Sequence, residues 1–205
     1  MSTSPSDPGA QGAAPQPARR LLSSRALELF IALGVLAISL ISLFVAVGSN
    51  RTQERMLAAS VWPSLQFGTS NVDEDGSEQL TFDLLNRGVG PARLRWSEIT
   101  VGGAPVQSLR EFLAVCCKVD KLDNAVSSGL KERVLGSGEW LRVVRIPRAG
   151  LPDEVWQALD AKRHEVRLRA CYCSVLDDCW VLDSDKGAPQ AVEVCPAAPG
   201  RLWDS

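Results

Sequence analysis

The run ALELFIALGVLAISLISLFVAVG, Ala26 to Gly48, constrains this chain more than any other feature. Glu28 near its start is its only charge, and Ser39 and Ser42 are its only other polar side chains. At about 1.5 Å per residue, a helix over it reaches roughly 33 Å, enough for a hydrocarbon core of about 30 Å. A helix buried in a water-soluble core keeps polar residues on some face. This one does not, so residues 26–48 are expected to lie in a lipid bilayer. A cleavable signal would have an apolar stretch of about 7–15 residues closed by a small-x-small site. The run here is longer, a long segment precedes it, and SNRTQERML follows, so a retained signal-anchor is expected.

Sidedness follows from the flanking charges. Arg19, Arg20 and Arg25 precede the run, whereas Arg51 and Arg55 follow it beside Glu54. The positive-inside rule then favours a cytoplasmic N-terminus and a C-terminal domain outside the cytoplasm, by a margin of one charge. Residues 1–25 open with MSTSPSDPGAQGAAPQPA, which has almost no apolar bulk to offset the entropy of ordering, and read as a disordered tail. Residues 49–60 are good helix formers and should continue the membrane helix as a juxtamembrane segment.

From residue 61 the texture changes to short alternating runs broken by Gly, Pro, Asn and Asp. VWPSLQFGTSN, EQLTFDLLN, ARLRWSEITV, LKERVL, EWLRVVRI, HEVRLRACYC and CWVLD read as seven strands. Leu80, Phe82 and Leu84 oppose Thr81 and Asp83 on the second, and Leu94 and Trp96 oppose Arg93 and Arg95 on the third. Two helices interrupt: SLREFLAVCC, with Ser108 and Glu111 in capping-box register, and LPDEVWQALDA, with Pro152 in its first turn. The expected fold is mainly β, an antiparallel sandwich of immunoglobulin or fibronectin type over residues 61–196, with two short helices and a C-terminal tail at 197–205.

CYCSVLDDCW, Cys171 to Trp180, places three cysteines in ten positions. Alternation along HEVRLRACYC sends Val166, Leu168, Ala170 and Tyr172 to one face, and Arg167, Arg169, Cys171 and Cys173 to the other. Cys171 and Cys173 cannot easily bond each other, because a strand holds their Cα atoms about 6.5–7 Å apart with parallel Cβ vectors. SVLDD makes a hairpin loop that returns Cys179 close to Cys173, so a Cys173–Cys179 staple is the candidate disulfide outside the cytoplasm. Cys116, Cys117, Cys171 and Cys195 remain as further disulfide cysteines. Adjacent cysteines bond each other only in a cramped ring, so Cys116 and Cys117 are each expected to pair elsewhere, with Cys171 and Cys195 available. Two other chemistries compete. Cys171, Cys173 and Cys179 offer three thiolates to a metal, although zinc sites usually show paired C-x(2–4)-C units. Arg167 and Arg169 on the same face would lower a thiol pKa and favour redox chemistry.

Other features have plain explanations. A single histidine, His164, excludes chemistry that needs two imidazoles and has no Ser or Cys partner at recognisable spacing. NRGVGPARL lacks the Lys-Ser/Thr ending of a phosphate loop, and turn chemistry accounts for it, with Asn86, Gly88 and Gly90 supplying positive φ. Trp62, close to the anchor, suits the bilayer interface. The net charge is −2 over 205 residues. With three arginines against Asp7 and Glu28 in residues 1–48, the rest carries a net −3, which gives no basic field for nucleic acid.

RMLAASVWPSLQFGTSN, NRGVGPARL and CYCSVLDDCW resemble segments of a group of small bacterial membrane proteins without an assigned activity. The likeness covers about Arg51 to Leu182. These proteins have one N-terminal transmembrane helix and an immunoglobulin-like or fibronectin-like β domain. The resemblance implies a bacterial inner-membrane home and the same architecture, and no site residues; with the sidedness expected from the flanking charges, the β domain would face the periplasm. The leading expectation is a non-enzymatic module that needs no cofactor and presents an interaction surface to a protein partner in the cell envelope. The alternative is a membrane-tethered thiol-redox or metal-handling protein using Cys171, Cys173 and Cys179.

Overall fold

A computed structural model describes residues 24–204. The tail read as disordered lies, for residues 1–23, outside the described residues. The chain divides into two compact units, Met1–Thr52 and Gln53–Ser205.

The first unit is dominated by helix α1, Ser24–Ser60, which runs unbroken from the apolar segment through the juxtamembrane residues into the second unit. This helix is long and apolar enough to span a membrane. Within it the Ser39 hydroxyl donates to the Val35 carbonyl at 2.8 Å, so that polar group needs no water. The helix stops before Trp62-Pro63, where proline disfavours helical backbone at the preceding residue.

Beyond α1, the second unit carries ten strands and two helices among the described residues. In order they are β1 (Leu65–Val72), β2 (Glu78–Asn86), β3 (Ala92–Val101), β4 (Ala104–Val106), α2 (Leu109–Cys117), β5 (Val126–Ser127), β6 (Val134–Leu135), β7 (Trp140–Pro147), α3 (Asp153–Arg163), β8 (Val166–Cys173), β9 (Cys179–Asp183) and β10 (Gln190–Val192). They form two antiparallel sheets. Sheet 1 has the order β1-β2-β7-β5, and sheet 2 the order β10-β9-β8-β3-β4 with β6 beside β3. Leu65, Phe82 and Ile146 from sheet 1 and Leu94, Leu168 and Tyr172 from sheet 2 belong to one buried apolar cluster, joined by Phe112 of α2 and Leu159 of α3.

The helices form for local reasons. Ser108 caps α2 by accepting from the Glu111 N–H, and the Glu111 carboxylate accepts from the Gln107 N–H at 3.0 Å. Helix α3 carries Asp153 and Glu154 in its first turn and Lys162 and Arg163 in its last, which suits the helix dipole.

Four expectations change. First, β3 bulges between Leu94 and Trp96, so that Leu94 faces Tyr172 whereas Trp96 falls opposite Cys171. An extra residue reverses every later side chain, which takes Trp96 off the Leu94 face. Second, the polar face of β2 is buried too. Arg142 lies 3.4 Å from Asp73 and 3.4 Å from Asp83, Thr81 donates to Asp83 at 2.6 Å, and Arg145 donates to Gln79 at 2.8 Å. Third, residues 197–204 are no loose tail. Trp203 is 1% exposed, its indole donates to the Ser128 carbonyl at 3.1 Å, and its N–H donates to Ser97 at 3.0 Å.

The fourth concerns the β2–β3 turn. Gly88 and Gly90 are not among the positive-φ glycines. Their role is space: a Cβ on Gly90 would collide with the Val61 backbone, and one on Gly88 with Trp62 and Ser64. Asn86, fully buried, ties the turn down. Its amide donates to Gly90, Leu135 and Gly136 carbonyls at 2.8, 3.2 and 3.0 Å, and its oxygen accepts from Ser64 and Gly88 N–H groups at 3.1 and 3.0 Å.

Candidate functional site

Two surfaces of the second unit concentrate unusual chemistry: the cystine face of sheet 2 and the open edge of sheet 1.

On sheet 2, strands β8 and β9 place Cys173 directly opposite Cys179, and the two are disulfide-bonded with Cα atoms 4.0 Å apart. Cys171, two residues back on the same face, bonds Cys195, with Cα atoms 5.8 Å apart. The remaining bridge joins Cys116 to its neighbour Cys117 at the end of α2. Here the structure departs from the expectation that Cys116 and Cys117 pair elsewhere. The helix ends at that point, and Lys118 turns left-handed at φ 53°, its N–H donating to Leu113. The break in helical geometry occurs just where the adjacent pair must close its ring. With Cys116 and Cys117 bonded to each other, Cys171 and Cys195 are left to one another.

The two bridges of sheet 2 touch. Cys173 Sγ lies 3.8 Å from Cys195 Sγ, although neither is bonded to the other. The sulfurs of Cys173, Cys179 and Cys195 all lie within 4.8 Å of one another. Bonded as cystines, they offer no thiolate to a metal. Exposure is graded: Cys171 is fully buried, Cys173 is 1% and Cys179 8% exposed, and Cys195 is half-buried. Trp96 covers this region, its indole donating to the Pro196 carbonyl at 2.9 Å.

The cations here differ from those expected. Arg167 pairs with Asp185 and donates to the His164 and Val166 carbonyls, and Arg169 lies 3.7 Å from Glu98. The cation opposite Cys173 is Arg93 of β3. Its terminal nitrogen pairs with Asp177 in the hairpin loop, while its Nε is buried without a hydrogen-bond partner. Sequence reading could not find this residue, because it comes from a strand 80 positions away that reaches Cys173 only through the sheet register.

Sheet 1 ends on β1, eight residues of sequence LQFGTSNV with no charge and no proline. The other terminal strands of the two sheets, β4, β5 and β10, are three, two and three residues long. Leu65 N–H turns away from β2 and donates to Tyr172 Oη at 3.3 Å. A period of two puts the N–H groups of Phe67 and Thr69 on that same outer side. Beside them runs a groove of about 190 Å³ whose lining includes Phe67, Thr69, Arg163, His164, Arg167 and Ser184. His164 is exposed there and closes the end of α3. Tyr172 is fully buried, and loss of hydration pushes its phenol up to about 12.

A cavity of about 510 Å³ lies between β3, the start of α2 and the C-terminal segment, with Arg95, Glu111 and Lys131 on its walls. Glu111 is already engaged there by Arg201 at 2.8 Å. No protein-family model matches this chain, and no curated protein matches it either.

Proposed function

We propose that this protein is a membrane-anchored recognition module of the bacterial inner membrane. In this reading its N-terminus is cytoplasmic, its β domain lies in the periplasm, and the domain is a sandwich of immunoglobulin or fibronectin type. Recognition of this kind involves no catalysis and needs no cofactor. Its task is to hold an extended segment of an envelope protein as an added strand on β1. The anchor keeps that complex at the bilayer.

One observation carries the reading. Edge strands invite pairing with other chains, and proteins blunt them by shortness, charge, proline or cover. Three of the four terminal strands here are short, whereas β1 has eight residues without charge or proline. Outward N–H groups at Phe67 and Thr69 would supply the ladder for an incoming strand, and the adjacent groove would take alternate side chains. The apolar reach of α1 and the single core shared by two antiparallel sheets support the anchor and the sandwich.

The test is photo-crosslinking in intact cells from a reactive amino acid at Gln66 or Gly68, both exposed positions on β1, with Val115 on α2 as control. A discrete adduct should form from β1 alone and should vanish with Thr69→Pro. Proline there removes an outward N–H without breaking the β1–β2 ladder. No adduct from β1, or one that survives Thr69→Pro in a normally folded protein, contradicts the proposal.

A further inference from the structure

We infer that the two cystines of sheet 2 form one thiol–disulfide exchange centre, in which Cys173 and Cys195 become partners once a dithiol opens either bridge. The inference is independent of strand docking at β1.

The geometry supplies the argument. Cys173 and Cys195 belong to different bridges, yet their sulfurs stand 3.8 Å apart, close to van der Waals contact. Exchange proceeds by attack of a thiolate on a disulfide sulfur, so a thiolate on either residue already has its target beside it. Suppose a dithiol attacks Cys179. The Cys173–Cys179 bond breaks, and its electron pair leaves on Cys173. The second thiol of the reductant resolves the mixed disulfide, leaving a cyclic disulfide and a Cys179 thiol. The Cys173 thiolate then attacks Cys195, the Cys171–Cys195 bond breaks, and Cys171 departs with the electron pair. The two protons released by the dithiol end on Cys171 and Cys179. Attack at Cys195 reaches the same product by the other route, because the freed Cys195 thiolate attacks Cys173 and expels Cys179. Two electrons enter and one disulfide, Cys173–Cys195, remains.

A second observation points to the same hub. Arg93 stands directly opposite Cys173, and its Nε is the one buried side-chain nitrogen or oxygen without a hydrogen-bond partner among the described residues. A thiolate on Cys173 would give that N–H an acceptor, and a neighbouring cation favours the thiolate. Cys171 cannot take this role. It lies on the same strand as Cys173, two residues away, with Cβ vectors parallel. When the reductant enters at Cys179, the C-terminal segment stays tied to β8 throughout, since Cys195 trades one β8 cysteine for another. The substrates of such a centre are dithiol and disulfide proteins, and of the two thiols produced the less buried is that of Cys179, at the start of β9.

The experiment reduces the full-length protein in detergent with limiting dithiothreitol, quenches with acid, blocks free thiols with N-ethylmaleimide and maps the cysteines by mass spectrometry without further reduction. The Cys116–Cys117 peptide is scored separately. Molecules that have gained two electrons at sheet 2 should carry label on Cys171 and Cys179 and a Cys173–Cys195 cross-link. Label chiefly on Cys173 with Cys179, on Cys171 with Cys195, or spread evenly over these pairings overturns the inference. In parallel, the Cys171→Ser/Cys179→Ser double variant should form the Cys173–Cys195 bridge when oxidised with glutathione disulfide. Free thiols on both in the folded variant would equally overturn it.

Discussion

Tyr172 ties the two sheets together with one atom. Its side chain lies in the shared core, its ring stacks on Trp180 at 5.9 Å, and its oxygen accepts from the first N–H of β1. The neutral phenol suits this place, and burial raises its pKa to about 12. The sign of the linkage follows. The unfolded phenol ionises near pH 10, so the stability Tyr172 contributes is complete below about pH 10 and is lost as pH climbs toward 12. The chain has one tyrosine, so absorbance near 295 nm reports this residue alone. Titration should show a midpoint about two units above that of the urea-unfolded protein; coincident midpoints contradict the buried assignment. Residue-scale chemistry of this kind was only half legible. Alternation put Tyr172 inward, but its bond to Leu65 spans 107 positions, and no local pattern announces such a reach. Arg93 escaped for the same reason.

At the scale of elements, the strands and both short helices lie where alternation and capping signals put them, because each such signal acts within a few residues. What the pattern missed was set elsewhere. β4, β5 and β10 are two or three residues long, too short to display a period. LKERVL keeps only Val134–Leu135 as strand. The bulge after Leu94 reassigned Trp96, since one inserted residue inverts a face without altering composition. The β2–β3 turn shows a right position with a wrong cause. Turn chemistry makes Gly90 a conformational requirement, whereas the structure makes it a steric one. Gly90→Ala should therefore cost about 3 kcal/mol in urea unfolding, because the obstruction is the Val61 backbone, which cannot rotate away. Gly68→Ala, where a Cβ meets open space, should cost nothing measurable. Equal costs at the two positions would remove the steric account.

Over the whole molecule, the chain joins one long apolar helix to one cross-linked β domain, and the proposed function gives them the tasks of location and recognition. Helix α1 is the most legible part of the chain, because an apolar run of that length, with Glu28 as its one charge, suits a membrane-spanning helix. The C-terminal packing was the least. A lone Trp203 in a polar context carries no periodic signal, and only the close approach of Ser97, Gln107 and Ser128 gives its segment a place. The cystines sharpen the claim about location, since three bridges and no free thiol among the described residues suit an oxidising compartment. That claim is tested most directly by labelling intact spheroplasts with a membrane-impermeant maleimide, before and after an impermeant phosphine reductant. The account predicts no labelling of the untreated protein and labelling of all six cysteines after external reduction and unfolding, without permeabilisation. Thiols that react only once the membrane is opened, and that need no reductant, would contradict it.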